Sequence, residues 1–184
     1  MESRSTRVPA SSAMPGHRSK APAHGWRSRG PSRNLLAVPA RIVSIQLCPG
    51  HRQPMQPVPT ANLIRGLGIE GDKHAVSTSD RQVLLADQEA LDEVGVEPGT
   101  IKENLTVEGL HVMGLPIGTR VRLGDSAVLE ITKVCEPCFR MDEIRMGLQA
   151  ELVGRRGMVA RVINGGSIAV GDRITLEEAE PLAS

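Results

Sequence analysis

From Ile117 to Leu176 the chain is cut into short segments by glycine-containing turns, and polar and apolar residues alternate within them. Thr119-Arg120-Val121-Arg122-Leu123 alternates, Gly124-Asp125 turns the chain, and Val128-Leu129-Glu130-Ile131-Thr132 runs back as a hairpin partner. Met158 to Ile163 and Ser167 to Val170 read as two further strands joined through Asn164-Gly165-Gly166, a strong hairpin turn, and Gly171-Asp172 leads into Arg173 to Leu176. Successive side chains of a strand point to opposite faces, so a period of two marks half-buried strands, and glycine-rich pairs between them mark tight turns. Short strands outnumber helices and no βαβ rhythm is visible. This favours a closed or partly closed β-barrel with a few helical connections over a doubly wound sheet.

The rest of the body is less regular. Arg41 to Leu47 alternates as a strand, whereas Pro49, Pro54, Pro57 and Pro59 predict a loop of extended character over 48–62. Residues 66–74, GLGIEGDKH, read as a tight polar loop. Gln82 to Ala86 is a short apolar strand. Asp87 stands where an N-cap belongs, Ala90, Leu91 and Val94 share one helical face, and Gly95 ends the helix. Ile101 to Thr106 is a polar segment with isolated apolar anchors, and a helix is predicted over 139–153.

Charge divides the chain in two. There are 22 Lys plus Arg against 21 Asp plus Glu, a net charge of +1, but eight of the basic residues and a single acid, Glu2, fall in residues 1–41. Residues 1–33 are rich in Ser, Pro, Arg, Gly and Ala, with Trp26 their only large apolar side chain, so disorder is expected there. A non-functional upstream extension, an organelle transit peptide and a basic tail that touches an anionic partner all fit such a composition. The expected organisation is a tail over 1–39, a folded domain over 40–177 and a short tail over 178–184. No run of about 18 apolar residues predicts a membrane span, no secretory h-region is present, and a cytoplasmic location is expected. The odd count of three cysteines argues against a disulfide-stapled fold. The balanced charge and the near absence of aromatics (one Trp, one Phe, no Tyr) argue against nucleic-acid binding.

Cys135-Glu136-Pro137-Cys138 carries the sharpest chemical signal. It lies between a predicted strand and a predicted helix, where unpaired backbone N–H groups favour a thiolate at Cys138. A nucleophile, a sulfur carrier, a redox pair with Cys135, half of a zinc knuckle completed by Cys48 and His74, and two cysteines of which one is merely buried all remain open. His74 beside Asp72 is either a ligand contact or a pin for the turn. Arg81 offers a guanidinium to an anion or is solvated. Asn104, if inward, must be hydrogen-bonded, as a loop organiser or a ligand contact. Asn104-Leu105-Thr106 is a formal glycosylation sequon, unused without an export signal. Arg155, Arg156 and Arg161 signal only a charged face, and His111 is placed at a surface turn outside the site.

Taken together, GIEGDKH at 68–74, RQVLL at 81–85, KENLTVEGL at 102–110, LPIGTRVRLGDSAVLEIT at 115–132, EPC at 136–138 and GMVARVINGGSIAVGDRI at 157–174 resemble the MOSC domain, named for the C-terminal part of molybdenum cofactor sulfurases. The resemblance spans about residues 41–176. It implies a mostly β chain, a β-barrel of the pyruvate-kinase-barrel type with a few short helices. It also implies a molybdenum cofactor or related pterin as ligand and a sulfur-bearing or metal-contacting cysteine at Cys138, with Cys135 as a secondary thiol. The family's aspartate, histidine, arginine and asparagine fall on Asp72, His74, Arg81 and Asn104, the implied ligand-binding set. Some short members resemble proteins that detoxify N-hydroxylated bases or act with molybdoenzymes. Pyridoxal phosphate enters only as a family-level association, since nothing in these segments resembles the sulfurases' pyridoxal-phosphate domain. Sulfur would then arrive from a cysteine desulfurase or sulfurtransferase, or pass to a molybdoenzyme. A non-enzymatic relay adaptor and a zinc-stabilised module are the rival expectations. The connection from His74 to Arg81 is short, and Asp80 precedes Arg81 where relatives often have Asn. Both departures imply a more open rim.

Overall fold

The computed structural model describes residues 39–177. The expectations for the two tails therefore lie outside the described residues, apart from Pro39 and the first positions of the domain.

β1 (Arg41–Leu47) forms where the alternation puts it, with Ile42 and Ile45 buried and a register slip between Ile42 and Ser44. The proline-rich segment is not all loop: it carries β2 (Gln56–Val58) and β3 (Thr60–Ile64). Pro57 is tolerated because β2 is the outermost strand of its sheet and has only β1 to satisfy. Within the GLGIEG segment, β4 (Gly68–Ile69) pairs with β3.

β5 (Val83–Asp87) is buried along its whole length, and α1 (Gln88–Val94) follows, ending at Gly95 in the left-handed conformation. Asp87 holds the N-cap position without capping. Its carboxylate instead accepts hydrogen bonds from the amide of Val112 (2.9 Å) and faces His111 Nδ1 at 3.0 Å. β6 (Leu105–Glu108) pairs in parallel with β5. One β–α–β crossover thus exists where none was expected. It was hidden because β6 contains the buried polar Thr106 and is approached through Glu103 and Asn104, also buried, so that the segment reads as polar.

The hairpin of β7 (Arg120–Leu123) and β8 (Ala127–Val134) pairs Arg120 with Glu130 and Leu123 with Ala127, as its alternation predicts. The helix expected over 139–153 is two short ones, α2 (Arg140–Ile144) and α3 (Leu148–Glu151), broken at Gly147, whose φ is 88°. β9 (Met158–Asn164), β10 (Gly166–Ala169) and β11 (Ile174–Glu177) complete the order. The predicted β9–β10 hairpin is corrected. β10 pairs with β3, while β9 lies between β8 and β5. Gly165 serves close packing rather than a hairpin turn: a Cβ there would stand 2.7 Å from the Leu63 carbonyl oxygen.

The larger sheet runs β11-β7-β8-β9-β5-β6-β1-β2 and the smaller β10-β3-β4. The described residues are mostly β with three short α-helices, but strand pairing does not close the larger sheet into a barrel. The start of β1 and the residues before β11 meet at one bridge, Arg41 with Arg173, supported by Ile42 N donating to Asp172 O (3.0 Å) and Ile174 N to Ala40 O (2.8 Å). The reason lies in β1, which gives Ile45 to Leu47 to β2 and has only its first residues left for the β11 side.

The main core joins both sheets through Ile42, Ile69, Leu85, Leu105, Leu129 and Ile131, each fully buried. A second cluster, including Leu91, Ile101, Met141 and Leu148, fastens the helices. A third, of Leu84, Cys135 and Val159, underlies the site.

Candidate functional site

The Cys135–Cys138 turn leaves β8 and enters α2, and each of its residues is tethered. Cys135 N donates to Gly157 O (3.0 Å), and the Glu136 carbonyl accepts from Arg156 Nη1 (2.7 Å). The Pro137 carbonyl accepts from Gln149 Nε2 (3.4 Å), and that of Cys138 from Met141 N (2.9 Å). Cys135 is buried against Leu84 and Val159, with Arg81 Nη2 3.8 Å from its sulfur, whereas Cys138 is partly exposed. All three cysteines are free thiols. A five-residue helix has little dipole to offer, so any field on Cys138 must come from side chains.

Asp72 is the hub of the opposite wall. Its Oδ2 accepts from Cys48 N (2.6 Å) and Asn104 Nδ2 (2.9 Å), and its Oδ1 from His74 N (2.7 Å), with His74 Nδ1 at 2.9 Å. Burial alone would push the Asp72 pKa up, but the His74 ring, the amides of Cys48 and His74 and the His74 charge outweigh it and hold the carboxyl below its ordinary value. With Nδ1 committed to Asp72, the imidazole is oriented and Nε2 is its remaining nitrogen. Asn104 spends both amide hydrogens on Gln46 O (3.1 Å) and Asp72, and accepts from Leu84 N (3.1 Å). It organises the loops that meet here.

Between these walls lies a cleft of about 690 Å³. Cys138, Cys135, His74, Arg81 and Asn104 all line it, together with Cys48. Asp72 does not. It is buried beneath His74 and acts on the cleft by holding that ring. Sequence reasoning missed most of the charge: Arg52, Lys73, Lys102, Arg140 and Arg156 also line the cleft with Arg81, against two acids, Glu136 and Glu143. Arg52 faces Glu143 at 3.6 Å. These cations come from separate segments of the chain, so no local motif announces them. Arg156, read from sequence as part of a charged face, is buried. Three thiols and a histidine share the wall, yet among the described residues no group of three or more His, Cys, Asp or Glu is gathered to hold a metal ion. The four-ligand set a zinc module needs is therefore not assembled. No helix among the described residues is long and apolar enough to cross a membrane.

Comparison with known proteins bears on the fold and the family. A "Reductase" of Gibberella moniliformis (strain M3125 / FGSC 7600) is 32% identical over 84 residues, 44% of this chain but only 15% of that protein. The crystal structure of the YUAD protein from Bacillus subtilis superposes with a TM-score of 0.70 at 20% identity, covering 78% of this chain and 98% of that one. YiiM from Geobacillus stearothermophilus gives 0.61 at 20% identity over 76% of each chain. At such identities these structures speak for the fold alone. The MOSC domain profile matches residues 69–175, which is more than half of the sequence and includes every residue that lines the cleft except Cys48, Gly50, Arg52 and Gln53. The chain belongs to the MOSC domain family.

Proposed function

We propose that the cleft binds an anionic ligand of the molybdenum-cofactor or pterin type, and that Cys138 is the thiol that contacts it and carries or transfers sulfur. The charge inventory is the main support. Residues 42–184 hold more acids than bases, yet the cleft is lined by six Lys and Arg against two Glu. A cleft that collects cations on an acidic body is built for an anion. The donor set fits such a group: a partly exposed thiol, a ring nitrogen oriented by Asp72, and guanidinium forks suited to oxyanions. When bound, the group would supply a metal centre reactive towards sulfur. For sulfur transfer, the Cys138 thiolate attacks the outer sulfur of a donor persulfide, the donor's cysteine leaves as thiolate, and Cys138 holds the sulfur as its own persulfide. A cysteine desulfurase or sulfurtransferase would provide that donor.

Native mass spectrometry of freshly isolated full-length chain tests this reading. The expected result is a retained pterin or an added sulfur that disappears in Cys138→Ser. Arg81→Ala should lose ligand retention while its melting temperature hardly moves, because an exposed charge contributes about 0–1 kcal/mol. Retention in Arg81→Ala equal to that of the unmodified chain would count against the proposal. A second reading, a relay adaptor docking on a molybdoenzyme or sulfurtransferase, draws on Phe139, Ile144 and Met146. These are exposed by 66%, 43% and 84% in the segment that follows Cys138.

A further inference from the structure

Arg156 stands in the turn before β9, is only 9% exposed and lines the cleft. Its Nη1 donates to Glu136 O (2.7 Å) and its Nη2 to Ile101 O (3.4 Å), both neutral carbonyl oxygens. Its Nε is buried without a hydrogen-bond partner. None of the ion pairs among the described residues includes it. The fully buried carboxyl nearby in sequence to Ile101, Glu103, is engaged by Gly99 N and by Thr106 Oγ1 (3.1 Å). Its other oxygen, Oε2, is buried without a hydrogen-bond partner, so Glu103 makes no contact with Arg156.

A buried cation without an anion is costly, and most buried ionisable groups escape by neutralising. Arginine cannot, because its guanidinium keeps its proton at any accessible pH. The folded chain thus carries a fixed, desolvated positive charge on the wall of an anion-collecting cleft, with three of its five N–H bonds uncommitted.

We propose that Arg156 is the buried anchor of this cleft, taking two oxygens of an oxyanion on the ligand, of the phosphate or molybdate class, through its free guanidinium edge. This rests on the anion-binding reading above and adds the residue that fixes where the ligand's charge sits. It also ties ligand to thiol: the guanidinium that holds the oxyanion holds the Glu136 carbonyl, within the turn that ends at Cys138.

The test titrates the full chain with sodium phosphate and, separately, sodium molybdate, replacing chloride at constant ionic strength. Melting temperature and the rate of Cys138 alkylation by iodoacetamide are followed. In the unmodified chain at least one of the two anions should raise the melting temperature and slow alkylation. Arg156→Lys, which keeps charge but loses the planar fork, should weaken the apparent affinity by about tenfold or more. Arg156→Gln should abolish the response. Should Arg156→Gln fail to fold, Arg156→Lys decides alone. An anion response in Arg156→Lys equal to that of the unmodified chain, with Cys138 protected in both, overturns the anchor and leaves the anion-binding reading standing. No response of the unmodified chain to either anion removes both.

Discussion

Asp72 and Glu103 are buried carboxyls whose environments pull their pKa values in opposite directions. For Asp72, burial raises the value, but the hydrogen bonds from His74 and Cys48 more than compensate, so the folded value lies below the unfolded one. Between the two, the folded state binds fewer protons, and the resulting stability is full above the unfolded value of about 4 and lost as pH falls through the folded one. Asp72→Asn should cost about 1–3 kcal/mol at neutral pH and flatten that acid limb, as urea melts over pH would show. An unchanged acid limb would refute the assignment. For Glu103, burial wins over the hydrogen bonds from Gly99 and Thr106, and the folded value is raised. Its contribution is present below the ordinary glutamate value and is lost as pH rises through the folded one. Glu103→Gln keeps the accepting oxygen and removes the ionisation. Stability at neutral pH should then match or exceed that of the unmodified chain, and a loss beyond about 1 kcal/mol would contradict this.

At the scale of elements, the turn of Cys135 to Cys138 depends on how β9 begins. Gly157 has φ 123°, and a Cβ there would run into the Leu85 carbonyl oxygen of the neighbouring strand, while its own carbonyl holds Cys135. Gly157→Ala should therefore destabilise by about 3 kcal/mol or more, measured by chemical denaturation, and a neutral effect would show that β5 and β9 can part without cost. That glycine illustrates what sequence could and could not reveal. β1, β5 and the β7–β8 hairpin were legible because each rests on alternation or an apolar run within a few residues. The pairing of β10 with β3 was not, because it joins Ser167 to Asn62 across the chain, and Asn164-Gly165-Gly166 mimics a turn while serving close approach. β6 was obscured because Glu103, Asn104 and Thr106 read as surface yet are buried and bonded inside. The resemblance singled out His74, Arg81, Asn104, Cys135 and Cys138, and all five line the one cleft. Arg156 was not legible, because its burial comes from Ile101 and Glu136, far from it in sequence.

The whole molecule sorts its charge. Six of the fourteen Lys and Arg side chains in residues 42–184 line one cleft, and only two acids join them. A concave, low-dielectric wall of one sign concentrates ions of the other and speeds their arrival by tenfold or more. Cys138, the one cysteine that is not buried, reports that field directly. Iodoacetate and iodoacetamide alkylate thiols by the same displacement, but only the first is an anion. At low salt, the ratio of their rates at Cys138 should exceed the ratio for free glutathione by about tenfold. The excess should collapse at about 1 M salt, where the screening length falls to about 3 Å. Lys73→Ala and Arg140→Ala should each reduce the excess, because each removes positive charge from the wall of the cleft, and the ratio of the two reagents cancels any change in the thiol's own reactivity. A low-salt ratio equal to that of glutathione would mean that the two glutamates and the solvent cancel the field. The cleft would then have no electrostatic claim on an anionic ligand.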